Sequence, residues 1–251
     1  MKQLTILTGA SRGMGQAMAV QLCQPGARLL CIARHDAPGL AQLAAQRGTE
    51  LEQWNADLAE PAAVATKLLS WLQAQDPLQL VGATLINNAA RVGRIGPLEP
   101  ADLADIATTL RVDLEAPMQL SAVFLTATRG WAMPRKILNI SSGLGRRAMA
   151  GSALYCAAKA GMDHYSRCVA LDETRQANGV RIVSLAPGVI DTDMQSDLRA
   201  SDPGNFPEHA NFVQLKENGL LTSPADAAQR VLAYLARTDF GAQPVADVRD
   251  A

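Results

Sequence analysis

Gln3-Leu4-Thr5-Ile6-Leu7 runs directly into Thr8-Gly9-Ala10-Ser11-Arg12-Gly13-Met14-Gly15, and a helical pattern, Gln16 to Cys23, begins where the glycines end. A strand, a glycine-rich turn and a helix in that order form a cradle for phosphate. Glycines let the backbone come close to a pyrophosphate, and the helix N-terminus offers unpaired N–H groups at the positive end of its dipole. The spacing is G-x-x-x-G-x-G rather than the commoner G-x-G-x-x-G of dinucleotide loops. A tight strand-to-helix turn with no ligand would use the same glycines, so the meaning of this stretch depends on the rest of the chain.

The next strand, Arg28 to Ala33, ends at Arg34. In a nucleotide-binding βαβ unit this strand end lies beside the adenosine ribose, where a carboxylate accepts from a free 2′-hydroxyl and an arginine meets a 2′-phosphate. Arg34, with Arg12 of the glycine loop as a second clamp, points to NADP(H) over NAD(H), because guanidinium forks suit phosphate. Asp36 stands close by as a counter-indication. Gly39 to Gln46 reads as helix and Leu51 to Asn55 as a strand, with Asp57-Leu58 at its exit. Asp57 is placed to reach an adenine edge or to cap the next helix, Pro61 to Gln73. A further buried strand, Ala83 to Ile86, enters Asn87-Asn88-Ala89-Ala90, where small residues and amides let a cofactor pass and supply hydrogen bonds.

A second cluster comes after the apolar run Lys136 to Ile140, which reads as a strand ending at Ser141-Ser142-Gly143. Tyr155 and Lys159 then stand four residues apart in a helical run, Ala153 to Val169, so both project from one face. A free tyrosine ionises near pH ~10, and a neighbouring ammonium favours the phenolate. Tyr155 therefore suits a general acid or base, and the Ser142 hydroxyl suits holding a substrate oxygen. Tyr-x-x-x-Lys alone arises by chance in many helices; the serine, the strand before it and the glycine loop give the pair its weight.

Length and composition are those of one globular unit. The 251 residues can bury a sizeable core, and 48% are hydrophobic. A net charge of −1 provides no broad basic field, so no nucleic-acid partner is indicated. Cys23, Cys31, Cys156 and Cys168 lack metal-like spacing, and three of them sit in stretches that read as core. No metal site is expected, and reduced thiols suit a cytoplasmic protein. No leader pattern opens the chain and no apolar run reaches ~18 residues, so no membrane association is expected.

The motifs, in this order, resemble those of the short-chain dehydrogenase/reductase family. Thr8 to Gly15 is similar to its TGxxxGxG, Asn87 to Ala90 to its NNAG, Ser142 to its catalytic serine and Tyr155/Lys159 to its YxxxK; Pro187-Gly188 with Thr192 resembles its PG motif after a sixth strand, Gly179 to Leu185. The likeness runs from about residue 3 to residue 193. It implies one Rossmann-type domain over residues 1–251: a doubly wound parallel sheet with helices on both faces and a substrate lid after the sixth strand. Tyr155 would then be the acid/base, Lys159 would lower its pKa and hold the nicotinamide ribose, and Ser142 would orient the carbonyl. Gly9, Ser11, Arg12, Gly13, Met14, Gly15, Arg34, Asp57, Leu58, Asn88, Ala89, Pro187 and Gly188 would line the cofactor, with Ile190 and Thr192 at its nicotinamide end. The chain departs from the family twice. Ala90 replaces the last glycine of NNAG, and Asp113, in what reads as a fourth helix, stands where an asparagine often completes the catalytic set.

The lid, Asp191 to Leu221, is polar and punctuated by proline and glycine. Met194, Phe206 and Phe212 are its candidates for burying an apolar or aromatic substrate, whereas Arg146 and Arg147 read as solvent-facing. The lid, the residues around Tyr155 and the tail from Asp239 resemble the sepiapterin reductase and benzil reductase branch, which reduces vicinal dicarbonyls. By that likeness Asp247 would anchor a pterin ring. The expected activity is NADPH-dependent reduction of a carbonyl by a homodimer or homotetramer. The alternatives are an alcohol dehydrogenase working oxidatively and a nicotinamide-nucleotide-binding sensor with weak catalysis.

Overall fold

The computed structural model describes residues 1–250, and its sheet explains why the strands read as unbroken apolar runs. Seven parallel strands lie in the order β3-β2-β1-β4-β5-β6-β7. They are β1 (Lys2–Thr8), β2 (Ala27–Ala33), β3 (Glu50–Asn55), β4 (Leu80–Asn87), β5 (Arg135–Ile140), β6 (Arg181–Ala186) and β7 (Val245–Asp247). Ile6 pairs with Leu30 and Leu85, and Leu7 with Cys31 and Ile86. Successive side chains point to opposite faces, so the Ile6 row joins one core and the Leu7 row the other. With both faces covered, neither row is polar.

On one face α1 (Gly13–Leu22), α2 (Leu40–Arg47) and α9 (Pro224–Ala236) enclose the core around Leu7, Met18 and Val231. On the other, α3 (Pro61–Gln73), α5 (Ala116–Thr128) and α6 (Ala153–Glu173) enclose Ile6, Leu68 and Phe124. The start of α9 is as its sequence implies: the Ser223 hydroxyl accepts from the Asp226 N–H at 3.1 Å and Pro224 opens the first turn.

The helical run before β5 is not regular. α4 (Leu103–Leu110) passes into α5 through one widened turn, Arg111–Glu115, in which the Ala116 N–H reaches the Arg111 carbonyl. Asp113 lies in that turn rather than in an ordinary helix.

The segment after β6 holds two helices, α7 (Asp193–Ala200) and α8 (His209–Glu217), over a small core of Met149, Leu198 and Phe206. Its neck is closed by Asp191 N–H to Thr222 O and Thr222 N–H to Val189 O, both 2.9 Å. Of the four cysteines, Cys23 and Cys31 are buried, Cys156 is half-buried and Cys168 is exposed, one fewer in the core than the sequence suggests. No helix among the described residues is long and apolar enough to cross a membrane.

Candidate active site

Strand order reverses between β1 and β4, and a cleft opens there at the carboxyl ends of the strands, where open α/β sheets bind ligands. Its volume is about 1080 Å³, and it brings together the glycine loop, Arg34, Asp57, Leu58, Asn88, Ala89, Ser142, Tyr155, Lys159, Pro187, Gly188, Ile190, Thr192, Met194, Phe212 and Asp247. Two expected residues, Asp113 and Phe206, lie behind its wall.

At the nucleotide end the backbone decides the shape. A Cβ on Gly15 would stand 1.9 Å from the Gly9 carbonyl oxygen, and one on Gly9 2.8 Å from the Ala89 Cα, where φ of +69° already favours glycine. Asn88 braces this turn: its amide donates to the Thr8 and Gly9 carbonyls at 3.0 and 3.2 Å, while Thr8 Oγ1 accepts from the Asn88 and Ala89 N–H groups. Asn88, expected beside the cofactor, thus lines the cleft and also holds the loop. The α1 N-terminus has no side-chain cap and no acid in its first turn, and Gly13, Met14 and Gly15 line the cleft. Free N–H groups, a positive dipole end and no competing carboxylate suit a pyrophosphate.

At the rim, Arg34 is exposed and lines the cleft without an ion pair among the described residues. Arg12 reaches across to Asp193 at the start of α7, 2.9 Å away. Asp57 does not cap α3. Its Oδ1 accepts from the Ala59 N–H at 2.9 Å in a local turn, and Glu60 occupies the helix start.

At the catalytic end, Ser142 follows β5 and accepts from the Leu144 N–H at 3.1 Å, opening a short turn over Gly143–Gly145. That turn presses onto α6, since a Cβ on Gly145 would lie 2.9 Å from the Lys159 carbonyl. Lys159 is 1% exposed; its Nζ donates to the Ile140 carbonyl at 2.9 Å and stands 5.4 Å from the Tyr155 ring centre. Burial pushes the ammonium below its ordinary pKa, against the pull of Asp113 and Asp163.

The Tyr155 phenol is held above its ordinary value, first by burial, then by the Asp113 charge, with the Ser142 hydroxyl pulling it partly back. Desolvation of the phenolate is the largest influence, and its direction is opposite to the lowering that the resemblance implies. Asp113 is wholly buried; its Oδ1 accepts from the Arg91 N–H at 2.8 Å and Oδ2 has no partner. Burial raises its pKa to about 6 against the opposing pull of Lys159 and Arg91.

At the substrate end, Phe212 and Met194 line the cleft, but Phe206 is fully buried and stacks behind Phe212, ring centres 5.5 Å apart. Its expected contact with substrate is replaced by support of the lid. Asp247 lies on the lining, yet Arg249 grips it at 2.8 and 2.6 Å, which holds its carboxyl below the usual range. Arg146 is exposed, as expected, and is also tied to Asp163 at 3.2 Å and to the Ala246 carbonyl at 2.8 Å. Arg147 is exposed but on the cleft lining, as is Arg249, and Val92, Ile95 and Leu144 add an apolar wall. None of these five carries a motif; the only sequence signal was the position of Leu144 and Arg147 just after Ser142.

Comparison with known proteins agrees with this geometry. The chain is 33% identical over 235 residues to benzil reductase ((S)-benzoin forming) of Bacillus cereus, with 94% of each chain covered. It is 33% identical over 247 residues to sepiapterin reductase of Mus musculus, covering 94% of this chain and 92% of that one. A short-chain dehydrogenase/reductase structure from Burkholderia vietnamiensis matches 99% of this chain and 97% of its own with a TM-score of 0.66 at 34% identity. A family model described as short chain dehydrogenase matches residues 3–203, which covers the glycine loop, Ser142, Tyr155 and Lys159: the chain belongs to the short-chain dehydrogenase/reductase family.

Proposed function

We propose that this protein is an NADPH-dependent carbonyl reductase acting on a vicinal diketone or a pterin-like or aromatic ketone. The observation that carries the reading is one cleft with an uncapped glycine cradle at one end and Ser142, Tyr155 and Lys159 at the other. The family binds nicotinamide cofactors, and here the α1 N-terminus would take the pyrophosphate while Arg34 and Arg12 would meet the 2′-phosphate. NADPH, when bound, supplies a hydride to the carbonyl carbon. The chain's own groups manage the oxygen. Ser142 donates a hydrogen bond to it, and Tyr155 gives it a proton, so negative charge does not build up alone. Lys159, oriented by the Ile140 carbonyl, opposes the charge left on the phenolate.

The choice of substrate rests on the apolar wall of Val92, Ile95, Leu144 and Phe212, which suits an aryl or heterocyclic ring, and on the two relatives' names. We further read the protein as cytoplasmic and homo-oligomeric. Four unpaired cysteines suit a reducing compartment, and Met118 on α5 and Leu171 on α6 expose apolar surface for self-association.

The test is NADPH and NADH oxidation against a diaryl diketone, an aliphatic diketone, a pterin diketone, a quinone and a simple aldehyde. Diketone turnover with NADPH that falls by about 10²-fold or more in Tyr155→Phe supports the reading. NADP⁺ reduction by alcohols outrunning carbonyl reduction at neutral pH makes it an oxidative dehydrogenase. Cofactor binding without turnover, unchanged in Tyr155→Phe, makes it a sensor.

A further inference from the structure

The reductase reading gives no work to Asp113, a carboxyl sealed inside the catalytic wall. Asp113 sits in the widened turn between α4 and α5, and α6 lies directly on that turn: a Cβ on Gly161 would stand 2.9 Å from the Leu114 side chain. One oxygen of Asp113 is taken by the Arg91 N–H, and the other is closed off from solvent with no hydrogen-bond partner. A lone carboxylate oxygen in such a place is costly, and holding a proton relieves the cost. The charged and titratable groups facing it are Lys159 and Tyr155 of α6 and Arg91 of the loop after β4, which itself pairs with Asp105 of α4 at 2.5 Å.

We propose that Asp113 is a positioning residue whose proton sets the charge against which Tyr155 donates. The proposal rests on the reductase reading. When Tyr155 protonates the substrate oxygen, the O–H bond of the phenol breaks, its electron pair stays on the ring oxygen and a phenolate remains. Any fixed charge close by enters that barrier. With the Asp113 carboxyl protonated, the Lys159 ammonium acts on the phenolate opposed only by Asp163, which Arg146 pairs at 3.2 Å. With the carboxyl ionised, the cluster loses one unit of positive charge and donation is harder. Asparagine of the same shape keeps an oxygen for the Arg91 N–H and removes the negative charge at every pH.

The experiment is the pH profile of kcat for ketone reduction by the wild type, Asp113→Asn and Tyr155→Phe. The wild type should lose turnover several-fold as pH rises through about 6, the carboxyl's value. Asp113→Asn should lack that limb and run several-fold faster than the wild type well above it. A limb shared by both proteins, or a variant slower at every pH, overturns the proposal, since a merely structural role lowers activity without moving the profile. A second measurement needs no turnover: the infrared band of a protonated carboxyl in the protein alone should titrate near pH 6 and be missing in Asp113→Asn. A band already gone at the ordinary carboxylate range overturns it as well. Full activity in Tyr155→Phe sinks the reductase reading instead, while the infrared titration still decides where Asp113 holds its proton.

Discussion

At the end of the cleft that we read as the nucleotide site the backbone sets the shape, from a contiguous stretch of chain: Gly9, Gly13 and Gly15 clear the space, and the α1 N-terminus is uncapped. At the end that we read as the substrate site side chains set it, and the lining comes from five separate segments: Val92 and Ile95 after β4, Leu144 and Arg147 after β5, Met194 in α7, Phe212 in α8, and Asp247 with Arg249 in the tail. The first end tolerates almost no added atom. The second is held by packing behind the wall and by rim ion pairs, so its lining can change without disturbing the fold. One end suits an invariant ligand and the other a ligand that differs among relatives.

The contrast can be broken by experiment, and the largest effect is expected at the glycine loop. Gly15→Ala drives a Cβ into the Gly9 carbonyl, backbone against backbone, with nothing flexible to yield. A loss of NADPH affinity of about a thousandfold, roughly 4 kcal/mol, is expected in a fluorescence titration. Near-normal affinity would show that the loop is less constrained than its geometry.

Phe206→Ala comes next. It empties a fully buried site under the lid and should cost about 3–4 kcal/mol of stability, read as a lowered denaturant midpoint. If it instead changes substrate preference with stability intact, Phe206 belongs to the lining after all. Arg34→Ala should weaken NADPH by about 10–100-fold, the loss of a charged hydrogen bond or two, and leave NADH nearly unchanged. Equal losses for both cofactors remove the 2′-phosphate assignment. The smallest effect belongs to Phe212→Ala, about tenfold in kcat/KM for an aryl ketone with little change in stability. A large drop in stability would make Phe212 a second pillar like Phe206.

Legibility in the sequence divides along the same line. The order of strands and helices was legible because buried parallel strands must be apolar and glycine must stand where a Cβ cannot. Boundaries were less so. α6 runs four residues beyond Val169, to Glu173, which Arg129 grips at 2.6 and 2.9 Å and which also accepts from the Val180 N–H. Those partners lie on other elements, and nothing local announces them. β7 is three residues long, too short to show a pattern, and exists because β6 offers it an edge. Phe206 and Phe212 sit six apart in a polar segment, and no periodicity says which faces the cleft. Arg146 and Arg147 are adjacent and chemically alike, yet Asp163 and Ala246 capture the first and leave the second on the lining.

Family, parallel sheet and phosphate cradle could all be had from the order of residues, because each obeys steric rules that act within a few positions. So could Ser142, Tyr155 and Lys159, whose spacing on one strand end and one helix face leaves little freedom. The protonation landscape and the shape of the substrate end arise only when the chain closes on itself. Burial raises the Tyr155 phenol, a widened turn seals Asp113 with one oxygen unpaired, and the tail's Arg249 claims Asp247. Desolvation and ion pairing depend on what covers a group from distant parts of the chain, and no local pattern encodes that.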